Sequence, residues 1–256
     1  RTPSIAAPAI SKLTGVDIFL KLENQQVTGS FKTRGSLVRM NALSDAERRA
    51  GVVAASAGNH AQGVGYHAER LGIPATIYMP ANTPFTKVAR TEALGAEVIL
   101  SGESVAESRA LAAETAANDG RVFIHPYDDP YVIAGQATAT VEFIEDVADL
   151  DVIIVPIGGG GLAAGCCLAA HAMKPGLEVI GVQADAYPSM RQAFNGQPPH
   201  GRGATIADGI AVKEPGEITT PILKAHMDTV EVVTESEIER AVQVFVDSQR
   251  LIVEGS

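Results

Sequence analysis

Four consecutive glycines, residues 158–161, separate two apolar runs of different character. The run before them, residues 151–157, is rich in β-branched residues, as is typical of a parallel strand buried on both faces. The run after them, residues 162–171, is rich in alanine and leucine and predicts a helix. Four glycines lose much chain entropy in a simple turn, whereas bare N–H groups at a helix N-terminus bind anions. We therefore expect a phosphate-binding turn in an α/β fold.

The residues after these glycines narrow the kind of phosphate ligand. A nucleoside triphosphate loop requires Lys and then Ser or Thr after its last glycine, whereas two cysteines come after Gly165. A dinucleotide fingerprint fits the spacing better, because an acidic residue ends the next predicted strand, residues 177–183. Its members are Gly159, Gly161, Ala164 and Asp185. An NAD-dependent enzyme therefore stays open as an alternative.

A lysine opens the first long predicted helix. A predicted strand, residues 18–23, runs into a polar loop that ends at Gly29-Ser30-Phe31, and Lys32 is the next residue. Burial and the positive end of a helix both lower a lysine pKa, which makes the amine a Schiff-base nucleophile. The alternative is an ordinary solvated surface charge.

A third turn comes after the short predicted strand at residues 51–55. Ser56 and Asn59 are common N-cap residues for the helix that continues to Leu71. The same turn offers hydroxyl, amide and N–H donors to an anion such as a substrate carboxylate. Both interpretations are open on this segment alone.

Taken together, these segments resemble the pyridoxal-phosphate enzymes of fold type II, the β-family, and within it the threonine dehydratases, also called threonine ammonia-lyases, of catabolic type. Serine racemases are near relatives. The matching motifs occur in order over nearly the whole chain, at residues 29–35, 56–63, 126–130, 132–136, 156–162 and 207–212.

The resemblance implies an α/β fold of two three-layer domains with parallel sheets and the cofactor in the cleft between them. The large domain is expected at 1–50 plus 125–256, continuing in the family beyond residue 256, and the small inserted domain at 51–124. Strand and helix signals alternate along the chain, which independently predicts a parallel sheet. Gly72 and Gly95 are predicted to end helices that lead into strands at 75–79 and 97–100. These short, regular units between 51 and 124 agree with a compact small domain. Residues 195–205 are rich in Gly, Pro and polar residues and predict a surface loop.

The resemblance also implies roles for individual residues. Lys32 would bind pyridoxal 5'-phosphate as a Schiff base and act as the base at the substrate Cα. The other expected cofactor contacts are Phe31, Asn59, Gly158, Gly159, Gly160, Gly161, Leu162, Gly209 and Glu254. The expected substrate contacts are Ser56, Ala57, Gly58, Asn59 and His60.

The implied reaction is an α,β-elimination that converts L-threonine to 2-oxobutanoate and ammonia, and L-serine to pyruvate, in isoleucine biosynthesis or threonine catabolism. Alternatives within the family are serine racemase and 3-hydroxyaspartate dehydratase. Racemases of this type carry a proton-transferring serine where this chain has Ala57, which favours elimination. They also bind a divalent cation beginning with a Glu at the position of Gln183; a neutral first ligand, even with Asp185 beside it, weakens such a site, and no metal is predicted.

Composition limits the partners. A net charge of −10 over 256 residues disfavours nucleic acid and anionic membrane surfaces, and no apolar run is long enough to span a bilayer. The adjacent Cys166 and Cys167 are expected to be packing thiols in a reducing cytoplasm. A small amino-acid substrate and a homo-oligomer, dimer or tetramer, are expected from the resemblance.

Overall fold

The computed structural model describes residues 1–256, which form two compact units. One unit comprises residues 1–25 and 136–256, and the other comprises residues 26–135. The inserted domain expected at 51–124 lies inside the second unit, whose bounds are wider at both ends. The division expected from the sequence stays a prediction.

Nine strands and eleven helices make up the chain. The strands are β1 Ser4–Ala6, β2 Phe19–Lys21, β3 Val52–Ala55, β4 Ala75–Met79, β5 Glu97–Leu100, β6 Val122–Phe123, β7 Val152–Pro156, β8 Glu178–Ala184 and β9 Thr229–Val233. The helices are α1 Pro8–Thr14, α2 Lys32–Asn41, α3 Asp45–Ala50, α4 Asn59–Leu71, α5 Phe85–Glu92, α6 Val105–Asp119, α7 Pro130–Asp146, α8 Gly161–Met173, α9 Ser189–Phe194, α10 Thr219–His226 and α11 Glu235–Val244. Single 3₁₀ turns lie at Glu23–Gln25 and Asp208–Ile210, and a π-helical turn at Phe245–Gln249.

The unit of residues 26–135 is built on a four-stranded parallel sheet in the order β5-β4-β3-β6. Every residue of β3 and β4 is buried. Alternate residues point to opposite faces: Val52 and Ala54 pack in the cluster that includes Val64 of α4, whereas Val53 packs with Ala112 of α6. The parallel sheet predicted from alternating strand and helix signals is therefore confirmed, with helices on both of its faces.

Glycines end the helices of this unit where the sequence predicts. Gly72 comes directly after α4 in the left-handed conformation, with φ of 64°, and Gly95 lies three residues after α5 with φ of 81°. Glycine has no Cβ and adopts this conformation without a steric clash, so the chain can turn from each helix towards the next strand. The strands predicted at 75–79 and 97–100 match β4 and β5.

The unit of residues 1–25 and 136–256 contains a three-stranded parallel sheet in the order β7-β8-β9. Its first two strands confirm the predicted strands at 151–157 and 177–183 within one residue at each end. Gly181 in the middle strand is required for close packing, because a Cβ there would lie 2.2 Å from Cδ1 of Ile157 and 2.9 Å from Sδ of Met227.

The remaining segments of this unit are short. The strand predicted at 18–23 is shorter in the structure, since only Phe19–Lys21 pairs, antiparallel, with β1. The amino group of Lys21, at the end of β2, forms a salt bridge with the carboxylate of Glu142 at 2.8 Å. The loop predicted at 195–205 is confirmed, since it contains neither helix nor strand. None of the eleven helices combines the length and the apolar composition that a membrane span requires.

Candidate active site

Lys32 is the first residue of α2, and its amino group, unlike that of a surface lysine, is desolvated. Its Nζ donates a hydrogen bond to the carbonyl oxygen of Pro126 at 2.9 Å and lies 5.2 Å from the centre of the Phe31 ring. The helix begins without a side-chain cap at Phe31. The expected placement of the lysine beside an apolar ring at a helix start is therefore present in the structure.

Desolvation lowers the pKa of Lys32 to about 8, from an ordinary value of 10.5. The residue as a whole is only partly buried, but its amino group is enclosed by protein, and the surroundings of that group determine the pKa. A far larger share of this amine is neutral near pH 8 than for a surface lysine. The neutral amine is the form that attacks a carbonyl or takes up a proton.

The Pro126 carbonyl belongs to a segment that two histidines hold in place. His60 is 3% exposed, and its Nε2 donates to the carbonyl of Ile124 at 2.9 Å. The Nδ1 of His125 accepts hydrogen bonds from the backbone N–H groups of Asp128, at 2.7 Å, and Tyr127, at 3.3 Å. Burial lowers the pKa of His60 to about 3 and that of His125 to about 4, so both rings are neutral near pH 7.

The turn that begins α4 is open at its end. Gly58 is the N-cap and no side chain caps the helix, so the interpretation of Ser56 and Asn59 as N-caps is wrong. The Oγ of Ser56 instead accepts from the N–H of Gly58 at 3.1 Å, and Asn59 is the first helical residue. A glycine at the N-cap has no side chain to bond the first N–H groups of the helix, and a helix start of this kind suits an anion. Ala57 contributes only a methyl group to this turn.

A second open helix start lies directly after the four glycines. α8 begins at Gly161 with Gly160 as its N-cap, in the left-handed conformation at φ of 99° and without a side-chain cap. A Cβ at Gly160 would lie 2.7 Å from Oγ1 of Thr219, which donates to the carbonyl of Gly159 at 2.6 Å. The turn therefore needs its glycines for shape, and its uncapped N–H groups suit a phosphate. Leu162 lies in the first turn of the same helix.

Two further expected cofactor residues lie in the same unit as the glycines. Gly209 is the middle residue of a 3₁₀ turn, and a Cβ there would lie 2.6 Å from Oγ of Ser256. The neighbouring Ile210 is 3.1 Å from where a Cβ of Gly158 would be, which brings this turn against the glycines. Glu254 is exposed.

Gln183 has a structural role that the sequence did not indicate. It is fully buried, its Nε2 donates to the carbonyl of Ile157 at 3.1 Å, and its Oε1 accepts from the N–H of Arg191 at 2.9 Å. The amide thereby joins the end of β7 to α9. No group of three or more His, Cys, Asp or Glu side chains is arranged to hold a metal ion.

These features fit a phosphorylated aldehyde cofactor. The unit of residues 26–135 contains a desolvated lysine amine, the kind of group that forms an imine with an aldehyde. The unit of residues 1–25 and 136–256 contains a glycine turn at a helix N-terminus, the kind of turn that suits a phosphate. Both features are characteristic of α/β enzymes that use a phosphorylated aldehyde cofactor.

Comparison with known proteins identifies the family. The model of the pyridoxal-phosphate dependent enzyme family matches residues 1–256, and the chain belongs to this family, with the type II fold. The L-threonine ammonia-lyase of Thermotoga maritima is 45% identical over 258 residues, which cover 100% of this chain and 64% of that protein. The chain thus spans less than two thirds of that relative.

Two solved structures show the same fold. The processed form of threonine deaminase isoform 2 from Solanum lycopersicum has a TM-score of 0.95 and 36% identity, covering 99% of this chain and 70% of that one. Maize serine racemase has a TM-score of 0.93 and 33% identity, covering 100% of this chain and 80% of that one. The family resemblance and the fold expected from the sequence are confirmed, and the roles expected for single residues stay predictions.

Sequence reasoning did not single out three groups that shape these turns. Pro126 begins the matched motif at 126–130, and His125 directly precedes it. A histidine before a proline is only a weak signal of a functional role. Thr219 lies about sixty residues from the glycines that it contacts, and no local pattern marks it.

Proposed function

We propose that the protein is a pyridoxal-phosphate dependent lyase that converts L-threonine to 2-oxobutanoate and ammonia, and L-serine to pyruvate and ammonia. The observation that carries the proposal is the desolvated Lys32 amine, with a pKa lowered to about 8, at the start of α2. The 45% identity to an L-threonine ammonia-lyase supports the choice of substrate.

Lys32 has two tasks in this proposal. Its amine would hold the cofactor through the aldehyde, and once released by the substrate amine, Nζ would take the proton from the substrate Cα. Bound pyridoxal phosphate supplies an electron sink for the charge left at that carbon. The Pro126 carbonyl, 2.9 Å from Nζ, then stabilises the ammonium that proton uptake creates.

The two uncapped helix starts bind the anionic groups. We assign the cofactor phosphate to the α8 N-terminus, with Gly158, Gly159, Gly160, Gly161 and Leu162. The substrate carboxylate is assigned to the turn before α4, with Ser56, Ala57, Gly58, Asn59 and His60. Since the side chain of His60 is turned into the core, its share in carboxylate binding would come from its backbone N–H. Phe31, Asn59, Gly209 and Glu254 complete the proposed cofactor contacts.

Serine racemase is the second candidate, favoured by the likeness to the maize enzyme. Racemisation requires proton transfer on both faces of the substrate Cα, whereas elimination needs a base on one face only. Ala57 has no proton to exchange, so the residues support elimination. Purified protein given L-serine should release pyruvate and ammonia without forming D-serine; accumulation of D-serine as the main product would reverse this assignment.

The cofactor assignment has a direct spectroscopic test. We expect the full-length protein to show a visible absorption band that borohydride bleaches, and peptide mass spectrometry should find the reduced cofactor attached to Lys32. Lys32→Ala should lack both, while Lys224→Ala, at an exposed lysine of α10, should retain both. A colourless protein that gains no absorption band from added pyridoxal phosphate would refute this cofactor and favour a nucleotide such as NAD as the ligand of the glycine turn.

The substrate assignment is tested by product analysis. Threonine loses water and regains it when the released enamine hydrolyses, so one 2-oxobutanoate and one ammonia form per threonine. We would compare kcat/KM for L-threonine, L-serine and 3-hydroxyaspartate, and we expect the highest value for L-threonine. A preference for 3-hydroxyaspartate would keep the reaction type and change the substrate.

The proposal extends to a cytoplasmic homo-oligomer, dimer or tetramer, that acts on small amino acids and not on nucleic acid or membranes. The support is the net charge of −10, which disfavours polyanionic partners. Light scattering of the full-length protein at several concentrations gives the oligomeric state.

A further inference from the structure

We propose that His125 is a positioning residue for the catalytic lysine: its Nδ1 fixes the turn of residues 126–128 so that the Pro126 carbonyl receives the Lys32 ammonium. The inference rests on the function proposed for Lys32. It concerns only groups within the unit of residues 26–135.

The contacts form a short chain from the histidine to the lysine. Nδ1 of His125 accepts from the N–H of Asp128 at 2.7 Å and from that of Tyr127 at 3.3 Å. These two bonds close the turn immediately after Pro126. The Pro126 carbonyl and the Tyr127 N–H belong to one planar peptide, so this peptide cannot rotate without breaking the bond from Tyr127. Its carbonyl oxygen lies 2.9 Å from Nζ of Lys32. The histidine therefore acts on the lysine through the backbone and does not itself touch it in this chain of contacts.

The segment is held on either side of this turn as well. His60 donates to the carbonyl of Ile124 at 2.9 Å. Asp129 accepts from Nε of Arg39 at 2.9 Å, and its Oδ1 accepts from the N–H groups of Tyr131 and Val132 at the start of α7. Since Arg39 and Lys32 both lie on α2, this helix contacts the segment at two points. Loss of the His125 contacts would free the turn and leave the segment anchored.

The bonds to Nδ1 require a particular form of the ring. Both partners are N–H donors, so Nδ1 must carry no proton, and a neutral ring has its proton on Nε2. The ring is half-buried between Phe123 and Tyr127, with ring centres at 6.0 and 4.6 Å. The charged groups that face it are Asp128 and Asp129, which favour protonation, and Arg109 and Lys32, which oppose it. Burial prevails and keeps the ring neutral, which is the form that holds the turn.

The consequence for Lys32 is a balance of two effects on one amine. Desolvation favours the neutral amine, the form that acts as nucleophile and base. The fixed carbonyl favours the ammonium, which exists only after a proton has been taken up. With both in place, the lysine is able to accept a proton without the full cost of an isolated buried charge. The position of the carbonyl should therefore set the pKa of Lys32.

The experiment measures that pKa directly and uses neither substrate nor turnover. The full-length protein is freed of cofactor, labelled with a trace of an amine-acylating reagent across a pH series, and the Lys32 peptide is quantified by mass spectrometry. Circular dichroism and reloading with cofactor show that each variant is folded. His125→Leu removes the acceptor, His125→Asn places an amide oxygen near the position of Nδ1, and His226→Leu makes the same change at a half-buried histidine of α10.

We expect the labelling midpoint of the unaltered protein near pH 8. In His125→Leu the midpoint should fall by about one pH unit, a tenfold change in the acidity of the ammonium, because a hydrogen bond to a charged group is lost. His125→Asn and His226→Leu should keep the midpoint of the unaltered protein. If His125→Leu does not fold, His125→Gln serves in its place, since its amide reaches beyond the Nδ1 position, and the same fall is expected.

Three results would overturn the proposal. The first is a midpoint in His125→Leu equal to that of the unaltered protein, and the second is a fall in His125→Asn as large as that in His125→Leu. The third is a rise toward 10.5, which would mean that the turn excludes water from the lysine instead of presenting an acceptor. A protein that lacks lyase activity and still shows the expected shifts would refute the proposed function alone.

Discussion

Replacement of Lys32 by methionine should stabilise the cofactor-free protein, and the gain should disappear at high pH. Methionine keeps the apolar stem and removes the amino group. The pKa of this group falls from 10.5 in the unfolded chain to about 8 in the folded protein. The difference, 10.5 − 8 = 2.5 pH units, corresponds to about 3 kcal/mol at about 1.4 kcal/mol per unit.

The sign is set by proton binding. Between about pH 8 and 10.5 the unfolded chain holds a proton on Lys32 that the folded protein has lost, so folding becomes more favourable as the pH rises. The cost of burying the ammonium is thus fully present below pH 8 and absent above 10.5. The variant has no such term. Its advantage of about 3 kcal/mol at neutral pH, reduced by about 1 kcal/mol for the lost hydrogen bond to Pro126, should fade across this window.

Urea unfolding followed by circular dichroism gives the free energies at a series of pH values from neutral to about 10.5. The pH dependence of the difference between the two proteins is the informative quantity, because methionine has no group that titrates and the change with pH therefore comes from the Lys32 amine. Lys224→Met, at an exposed lysine, controls for methionine itself and should change stability by about 0.5 kcal/mol or less at every pH. A difference between Lys32→Met and the unaltered protein that is the same at both ends of the series would refute the assignment of a desolvated amine.

Two other predictions test the glycine turn and the cysteines. Gly160→Ala should destabilise the protein by about 1–3 kcal/mol more than Gly176→Ala. Both glycines have φ near 100°, but only a Cβ at Gly160 would meet another group, Oγ1 of Thr219. Equal losses of stability in urea unfolding would show that this contact does not matter, and cofactor titration should find weaker binding in Gly160→Ala alone. Burial raises the pKa of Cys166 to about 11 and that of Cys167 to about 12, so a thiol reagent at about pH 8 should leave both unmodified in the folded protein and modify both in urea; rapid modification of the folded protein would contradict their burial.

Much of the fold can be predicted from local patterns. The segments at 75–79 and 97–100 become strands with those bounds, and the glycines at 72 and 95 adopt the left-handed conformation beyond helix ends. Such features depend on neighbours in sequence, which is why they can be predicted. The strand expected at 18–23 is shorter in the structure, because the ladder with β1 includes only Phe19–Lys21, and pairing length is not a local property.

The candidate site was predictable in its residue types and less so in its contacts. The glycine turn carries a strong local signal, whereas Lys32 alone could be an ordinary surface charge and gains its meaning from the matched motifs, which cover nearly the whole chain. The capping interpretation of Ser56 and Asn59 failed because N-cap preference describes an average helix. At this turn Gly58 occupies the N-cap position and the Ser56 hydroxyl bonds to the N–H of Gly58. A glycine N-cap contributes no side-chain hydrogen bond, so this helix start lacks the stabilisation that a Ser or Asn cap would give.

Gln183 shows why a polar residue near a site is hard to assign from sequence. Its amide joins a carbonyl at the end of β7 to an N–H of α9, two groups that no local pattern brings together. A carboxylate at this position could accept from the N–H of Arg191 but could not donate to the carbonyl of Ile157. The amide therefore satisfies both backbone groups, whereas an acidic side chain at this position would leave the Ile157 carbonyl without its hydrogen bond. The same neutrality that weakens this position for a cation suits it to join the strand end to the helix.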